Sequence, residues 1–113
     1  MTVTDATESV RYLRRHAGLT ETDLADGTGA SPRTVRRWAH ARTTPQARYQ
    51  PRIDDLRAIV EILEDTLTAK GIQQWLRSRN RYLGGQRPID ALRAGHFDKV
   101  QEAANAFSDG TYL

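Results

Sequence analysis

Hydrophobic residues recur every three or four positions along most of the chain, which is the period of an amphipathic α-helix. The clearest stretch lies between residues 53 and 67, where the successive spacings are three, four, three and four. No segment combines sustained apolar–polar alternation with hairpin turns, so strands are not expected. The pattern predicts an all-α fold. Its longest helix carries Ile53, Leu56, Val60, Leu63 and Leu67 on one face.

Capping residues mark where the shorter helices begin and end. Thr20, with Asp23 three residues later, forms an approximate capping box for a short helix that ends near Gly29. Ser31 is a strong N-cap and Pro32 fits the first helical position, so the next helix begins there. We predict further helices over residues 7–16, 31–40 and 72–76, from Pro88 to Gly95, and from Phe97 to Phe107.

The longest helix has two interpretations, because Ile59 and Ile62 widen its apolar face beyond a single seam. One is that part of this face packs against a second subunit. The other interpretation is that both sides of this face meet the same small core. Leu, Ile, Val and Phe total only 22 of 113 residues, so the core is thin and we expect an oligomer or an obligate complex.

Composition excludes several classes of protein. The 113 residues suit one small domain or two joined subdomains, and the absence of cysteine excludes disulfide scaffolds, thiolate metal sites and cysteine nucleophiles. We expect no enzyme, metal or cofactor, since the histidines lack ligand spacing and neither a P-loop nor a nucleophile–base arrangement occurs. Without a membrane-length apolar run or a signal-peptide pattern at residues 1–5, the simplest expectation is a cytoplasmic protein.

Positive charge is concentrated in one block of the chain. Residues 31–52 carry six arginines and no acid, whereas residues 53–69 carry one arginine and five acids. Residues 1–30 have a net charge of −2 and residues 70–113 a net charge of +3. Clustered positive charge without acids favours contact with a phosphate backbone, although the many arginines also fit a GC-rich genome.

Two short helices joined by a glycine turn, the second of which opens the basic block, match the pattern of a helix-turn-helix. Arg33 and Arg37 lie four residues apart on the face that would enter a major groove, where arginine pairs with guanine. Arg36 and Arg42 are better placed for phosphate, and Ser31 or Thr34 can add hydroxyl contacts. The alternative is that these arginines form an ordinary solvated helix face. The predicted DNA-binding residues are Ser31, Arg33, Thr34, Arg36, Arg37 and Arg42.

The segments Leu19–Ala25 and Ala30–Trp38 resemble the Xre-type, phage-repressor-like helix-turn-helix family. Two positions depart from its pattern. Thr28 stands before the turn glycine where an apolar residue is usual, and Glu21 stands where a neutral polar residue often meets a phosphate. Since a glutamate would repel that phosphate, we expect modest DNA affinity that depends on dimerisation.

The last forty-odd residues carry a second pattern, which resembles the toxin-binding domain of Xre/MbcA/ParS-type antitoxins. The resemblance divides the chain into a helix-turn-helix bundle with its connecting helix, residues 1–66, and a small helical toxin-binding domain, residues 67–113. The pattern consists of Trp75, Leu76, Asn80, Leu83, Gly84, Gly85, Arg87, Pro88, Leu92, Gly95, Val100 and Gly110.

This resemblance implies an antitoxin whose partner is a RES-domain toxin, a family that consumes NAD or transfers its ADP-ribose. The antitoxin would block the toxin's active site with its C-terminal domain and repress its own promoter as a homodimer within a toxin–antitoxin hetero-oligomer. The alternative is a stand-alone helix-turn-helix transcriptional regulator whose C-terminal half only dimerises or senses a small ligand. For the basic loop, the alternative is extra contact with the DNA backbone or plain solvation. The implied toxin-binding residues are Arg79, Arg81, Tyr82, Arg87, Gly110, Thr111, Tyr112 and Leu113.

Overall fold

The residues that the structure describes form seven α-helices, and their positions follow from apolar spacing and from capping residues. The structure is a computed structural model, and it describes residues 6–40 and 48–110. No strand occurs in these two ranges, which confirms the predicted all-α fold. The elements are α1 (Ala6–Ala17), α2 (Glu21–Thr28), α3 (Pro32–Ala39), α4 (Gln50–Leu63), α5 (Ala69–Arg77), a 3-10 turn (Arg81–Leu83), α6 (Pro88–Arg93) and α7 (Phe97–Ser108).

The predicted caps of α2 and α3 are confirmed. Thr20 Oγ1 accepts a hydrogen bond from the Asp23 N–H at 3.1 Å, and Asp23 Oδ2 accepts one from the Thr20 N–H at 2.9 Å. Gly29 ends α2 with a φ of 84°, a left-handed conformation that glycine adopts without steric cost. Ser31 Oγ accepts from the Thr34 N–H at 3.1 Å and starts α3. The turn between the two helices is therefore only three residues long.

The broad apolar face of α4 packs within this chain. Ile53, Leu56, Ile59, Val60 and Leu63 are each at most 1% exposed. Ile62 is partly buried against the same core. Because α1 covers one side of α4 and α7 another, both sides of the wide face meet one core. This face of α4 is therefore covered by helices of the same chain, which supports the second interpretation given above.

The longest helix is shorter than its hydrophobic pattern predicts. It ends at Leu63, and Leu67 lies in the following turn, where it still packs against the core. Thr68 Oγ1 accepts from the Gly71 N–H at 3.2 Å and so caps the next helix, α5. This cap fixes Thr68 in an extended conformation, which α4 cannot contain.

One hydrophobic core joins the N-terminal and C-terminal halves of the chain. It includes buried residues from Ala6 to Ala104, on both sides of the predicted boundary between residues 66 and 67. Helix α6 packs on α2, and α5 packs on α1. The division into two domains stays a prediction. None of the helices in the described ranges is long and apolar enough to cross a membrane.

Candidate DNA-binding face and partner-binding loop

Helix α3 is fixed to the core by one side and exposes the other. Val35 and Trp38 are at most 1% exposed, and the Trp38 ring lies 5.6 Å from the Tyr49 ring. Thr7 Oγ1 donates a hydrogen bond to the Trp38 carbonyl oxygen at 2.9 Å, which ties α1 to the end of α3. The opposite side of α3 is consequently held in a defined orientation toward solvent.

The exposed side of α3 carries the predicted arginines. Arg33 and Arg37 are exposed, and neither forms a salt bridge with a described residue. Ser31 and Thr34 are occupied by the helix cap, and the Ser31 hydroxyl also donates to Thr34 Oγ1 at 3.0 Å. Arg42 lies outside the described residues. The guanidinium groups available on this face are therefore those of Arg33 and Arg37.

Thr28 is tolerated at a position that is usually apolar, because its hydroxyl group both donates and accepts a hydrogen bond. The residue is 4% exposed. Its Oγ1 donates to the Leu24 carbonyl oxygen at 2.7 Å and accepts from the Ala30 N–H at 3.3 Å. A buried hydroxyl costs little free energy when it is hydrogen-bonded in this way. The departure from the Xre-type pattern thus leaves the α2–α3 turn intact.

Arg36 is paired with Glu21, which the sequence prediction did not foresee. Arg36 Nε lies 3.1 Å from Glu21 Oε2, and its Nη2 lies 3.2 Å from Oε1. The hydrogen bond from Arg36 lowers the pKa of Glu21, and Arg14 and His40 act in the same direction. The two residues are fifteen positions apart, so only their opposite charges hinted at the contact. In this structure Glu21 takes up the charge that Arg36 was expected to offer to phosphate.

The loop after α5 is closed by its own hydrogen bonds. Asn80 Oδ1 accepts from the Tyr82 N–H at 2.9 Å, and the Asn80 N–H donates to the Gln86 carbonyl oxygen at 3.1 Å. Gly84 and Gly85 have φ angles of 67° and 91°, which allow the chain to reverse. The sequence prediction of an ordered loop is confirmed. This loop presents Arg79 and Arg81, both exposed and without a salt bridge to a described residue.

A groove of about 670 Å³ lies between this loop and the start of α7. Tyr82 and Leu83 line one wall, and Phe97 and Lys99 line the other. Tyr82 is 40% exposed, the largest exposure of a bulky hydrophobic residue in the described ranges. The groove is also lined by one acid, Asp98, beside Lys99, so its own charges are mixed, and the unpaired cations nearby are those of the loop. A surface with apolar side chains and a basic loop suits a partner that offers apolar and acidic groups.

The remaining predicted toxin-binding residues differ in their surroundings. Arg87 forms two hydrogen bonds with Asp90, at 2.7 Å from Nε and 3.0 Å from Nη2, and this pairing lowers the pKa of Asp90. Gly110 is exposed just beyond the end of α7. The other predicted residues of the tail, Thr111, Tyr112 and Leu113, lie outside the described residues.

Arg77 connects the C-terminal half of the chain to α2, and the sequence analysis missed this contact. Its Nε donates to Asp23 Oδ1 at 2.8 Å, and its Nη2 donates to Asp26 Oδ2 at 2.9 Å. These residues are more than fifty positions apart in the sequence, and no periodicity relates them. Arg77 stands only two residues before Arg79, so the exposed loop begins directly after a fixed contact with α2.

Comparison with known proteins places the chain among antitoxins. It is 40% identical over 109 residues to "Probable mycobacterial cidal antitoxin Rv3188" of Mycobacterium tuberculosis strain H37Rv, covering 96% of this chain and 92% of the relative. It is 30% identical over 96 residues to the mycobacterial cidal antitoxin MbcA of Mycobacterium bovis, covering 85% of each chain. No family model matches the chain.

A solved structure extends the likeness to the fold. The crystal structure of the M. tuberculosis MbcT–MbcA toxin–antitoxin complex contains a chain that matches with a TM-score of 0.84 and 28% sequence identity. The match covers 98% of this chain and 100% of the other. By its full-length identity to these relatives, the chain belongs to the family of mycobacterial cidal antitoxins.

Proposed function

We propose that this antitoxin binds a RES-domain toxin, covers its active site and thereby neutralises it in the cytoplasm. A neighbouring structure comes from a complex of an antitoxin with its toxin, MbcT, and the likeness extends over nearly the whole chain. The relatives are named antitoxins, which fits a role as a binding protein without catalysis of its own. The antitoxin would need an exposed, preformed surface for its partner.

The toxin-binding surface consists of the loop after α5, the adjoining groove and the C-terminal tail. Tyr82, exposed at the edge of the groove between Arg79 and the two loop glycines, carries this proposal. Tyrosine and arginine are the residues most often found as anchors of protein interfaces. The hydrogen bonds at Asn80 hold the loop in one shape before binding, which lowers the entropic cost of association. Arg87 joins this surface through its exposed edge while it stays paired with Asp90.

The toxin interface is tested with Tyr82→Asp and Arg81→Glu, measured as toxin affinity by calorimetry. Each change should weaken binding at least about a hundredfold, because each puts a carboxylate where an anchor contacts the partner. Arg93→Glu, with the same charge change at an exposed arginine of α6 away from the groove, is the matched control. Wild-type affinity in both loop variants would contradict the proposed surface.

The same chain binds its own promoter DNA through α3 and acts as an autorepressor. Arg33 and Arg37 support this role, because they are exposed on one side of a helix whose other side is anchored by Val35 and Trp38. This is the arrangement in which a recognition helix of a helix-turn-helix enters the major groove. A homodimer would present two such helices to two half-sites.

The DNA-binding role is tested by fluorescence anisotropy with the promoter fragment and a scrambled duplex of equal length. Binding of the promoter fragment should be tighter by at least a factor of about a thousand at physiological salt. The isolated antitoxin and the toxin–antitoxin complex are measured separately. Equal affinity for the two duplexes in both forms would contradict specific promoter binding.

A further inference from the structure

Helix α6 packs along the end of α2 and reaches the turn before α3. Ile89 is 1% exposed, and its Cγ1 lies 3.6 Å from the position that a Cβ atom would take on Gly27, near the end of α2. Arg93 follows Ile89 by one helical turn on the same face. Its Cγ and Nε both lie 3.9 Å from the position that a Cβ atom would take on Gly29. Ile89 therefore anchors α6 to α2, and Arg93 covers the turn glycine.

The turn glycine is close to the end of α3 that would enter the major groove. Ser31, the N-cap of α3, follows Gly29 by two residues, which span at most about 7 Å of chain. In a helix-turn-helix the N-terminal residues of the second helix contact the base edges, and the backbone phosphates border the groove. Arg93 therefore lies beside the proposed DNA-binding face, although it belongs to the C-terminal half of the chain.

The guanidinium group of Arg93 is exposed and forms no salt bridge with a described residue. Asp90, one turn earlier on α6, accepts from Arg87 with both of its oxygens, at 2.7 Å and 3.0 Å. Asp26, near the end of α2, accepts from Arg77 at 2.9 Å. Because these two acids already have partners of opposite charge, Arg93 can bind an anion from outside the chain.

Packing on the turn does not require the charge of Arg93. The methylene stem of an arginine covers apolar surface while its charged end stays in solvent, and a lysine has a similar stem. The turn is also fixed without Arg93, because the Gly29 N–H donates to the Ala25 carbonyl oxygen at 2.8 Å. Packing thus explains the contact of the stem with the turn, but not a cation placed here without an acidic partner.

We propose that Arg93 binds a phosphate of the DNA backbone beside the start of α3, so that the C-terminal half of the chain contributes directly to DNA binding. The inference rests on the proposed DNA-binding function. It goes beyond that function because the helix-turn-helix pattern covers only residues 19–38. A backbone phosphate carries no base information, so Arg93 raises the affinity for all DNA sequences alike.

Arg93→Gln in the full chain is the direct test, measured by fluorescence anisotropy on the promoter fragment and a scrambled duplex at several salt concentrations. Binding to both duplexes should weaken about tenfold at low salt, and the slope of log affinity against log salt should flatten by about one unit. Arg93→Lys keeps the charge and should keep the slope. Lys70→Gln is the matched control, because Lys70 is an exposed cation of α5 without a salt bridge to a described residue. It should change either affinity less than about twofold.

Circular dichroism and thermal melting should show every variant folded as the wild type, so that a loss of affinity reports the contact. An Arg93→Gln protein that matches Lys70→Gln in affinity and salt slope overturns the inference while DNA binding stands. Equal losses in Arg93→Lys and Arg93→Gln also overturn it, because they would place the effect in the packing on Gly29. A loss confined to the promoter fragment would make Arg93 a base contact and exclude the phosphate contact. A wild-type protein that binds neither duplex at low salt overturns the DNA-binding function, and this inference with it.

Discussion

Arg33 and Arg37 lie one helical turn apart on α3, and their neighbour Arg36 faces Glu21 instead. Three arginines within five residues thus have two different environments. In the proposed DNA complex, arginines without an ion pair to a described residue are available to base edges, whereas a paired arginine must first exchange its anion. The function of each arginine at this face follows from its partner and cannot be deduced from its residue type.

Arg33→Ala and Arg37→Ala should each relax the sequence preference of DNA binding. A guanidinium that contacts guanine contributes about 1–3 kcal/mol to discrimination, and this difference between promoter and scrambled duplex should shrink. Arg42→Ala should instead weaken binding to both duplexes and flatten the dependence of log affinity on log salt by about one unit. Equal losses on both duplexes for all three variants would mean that α3 does not contact bases.

Asp23 should make folding stability depend on pH. Burial alone would raise the pKa of Asp23, but hydrogen bonds from the Thr20 N–H and from Arg77 outweigh it and hold the pKa below its usual value. A lowered pKa in the folded state stabilises the protein above the unfolded value of about 3.9, and this contribution disappears as the pH falls through the folded value.

Asp23→Asn measures this contribution. Denaturant unfolding should show the wild type more stable than the variant at pH 6, with the difference closing as the pH is lowered toward 3. Asn keeps one side-chain oxygen, which can still accept from the Thr20 N–H, so the variant loses both the charge and the acceptor that face Arg77, and only the loss of charge depends on pH. A difference that stays constant with pH would contradict the ionic role of Asp23.

Residue chemistry was predictable where it acts locally. The Thr20 and Ser31 caps and the left-handed Gly29 follow from neighbours within three residues, and sequence patterns contain that information. The pairing of Arg36 with Glu21 depends on how two helices cross, so it became visible only in the fold. The sequence predicts that Glu21 opposes DNA binding, and this stays a prediction. The structure adds that Glu21 pairs with Arg36.

At the scale of the elements, α4 organises the molecule. It is the longest helix in the described ranges, with fourteen residues, and it contacts helices of both halves of the chain. The period of its apolar residues was sufficient to predict the helix but not its end, because Thr68 starts a new cap before Leu67 can continue the old helix. The cap of α5 therefore determines where α4 ends, and hydrophobic spacing alone predicted this end too far along the chain.

Leu63→Asp should unfold the protein. Leu63 has no exposed surface, and a carboxylate there would lose its hydration without gaining a partner. The milder Leu63→Ala should lower the free energy of unfolding by about 2–5 kcal/mol. Circular dichroism at 25 °C checks the first variant, and denaturant unfolding measures the second. Glu61→Asp, which puts an aspartate on the exposed side of α4, should remain helical. Helicity retained in Leu63→Asp with loss of a dimer would instead place this face between subunits.

At the scale of the whole molecule, one core and one arginine link the two proposed interfaces. Helix α6 packs on α2, and Arg77 joins α5 to the same helix through Asp23 and Asp26. The sequence predicted the order of the helices correctly, because apolar spacing together with local caps, prolines or glycines marks them along the chain. It did not predict that the two halves share a core, since contacts between distant segments leave no periodic trace in one sequence.

Deletion of residues 110–113 should separate the two functions. Toxin neutralisation should be lost, because the tail is part of the proposed blocking surface, whereas DNA binding should stay within about twofold of the wild type. Growth of cells that express the toxin and anisotropy with the promoter fragment provide the two readouts. A truncated protein that still protects cells would remove the tail from the blocking surface and leave the loop around Tyr82 as its main part.

The most direct test of the proposed antitoxin function is expression of the neighbouring open reading frame with and without this chain, following growth and intracellular NAD. The neighbour alone should stop growth and deplete NAD. The wild-type chain should restore both, and the Tyr82→Asp variant should restore neither. A neighbour that arrests growth regardless of this chain, or one that is harmless by itself, would contradict the antitoxin pairing and favour a stand-alone regulator.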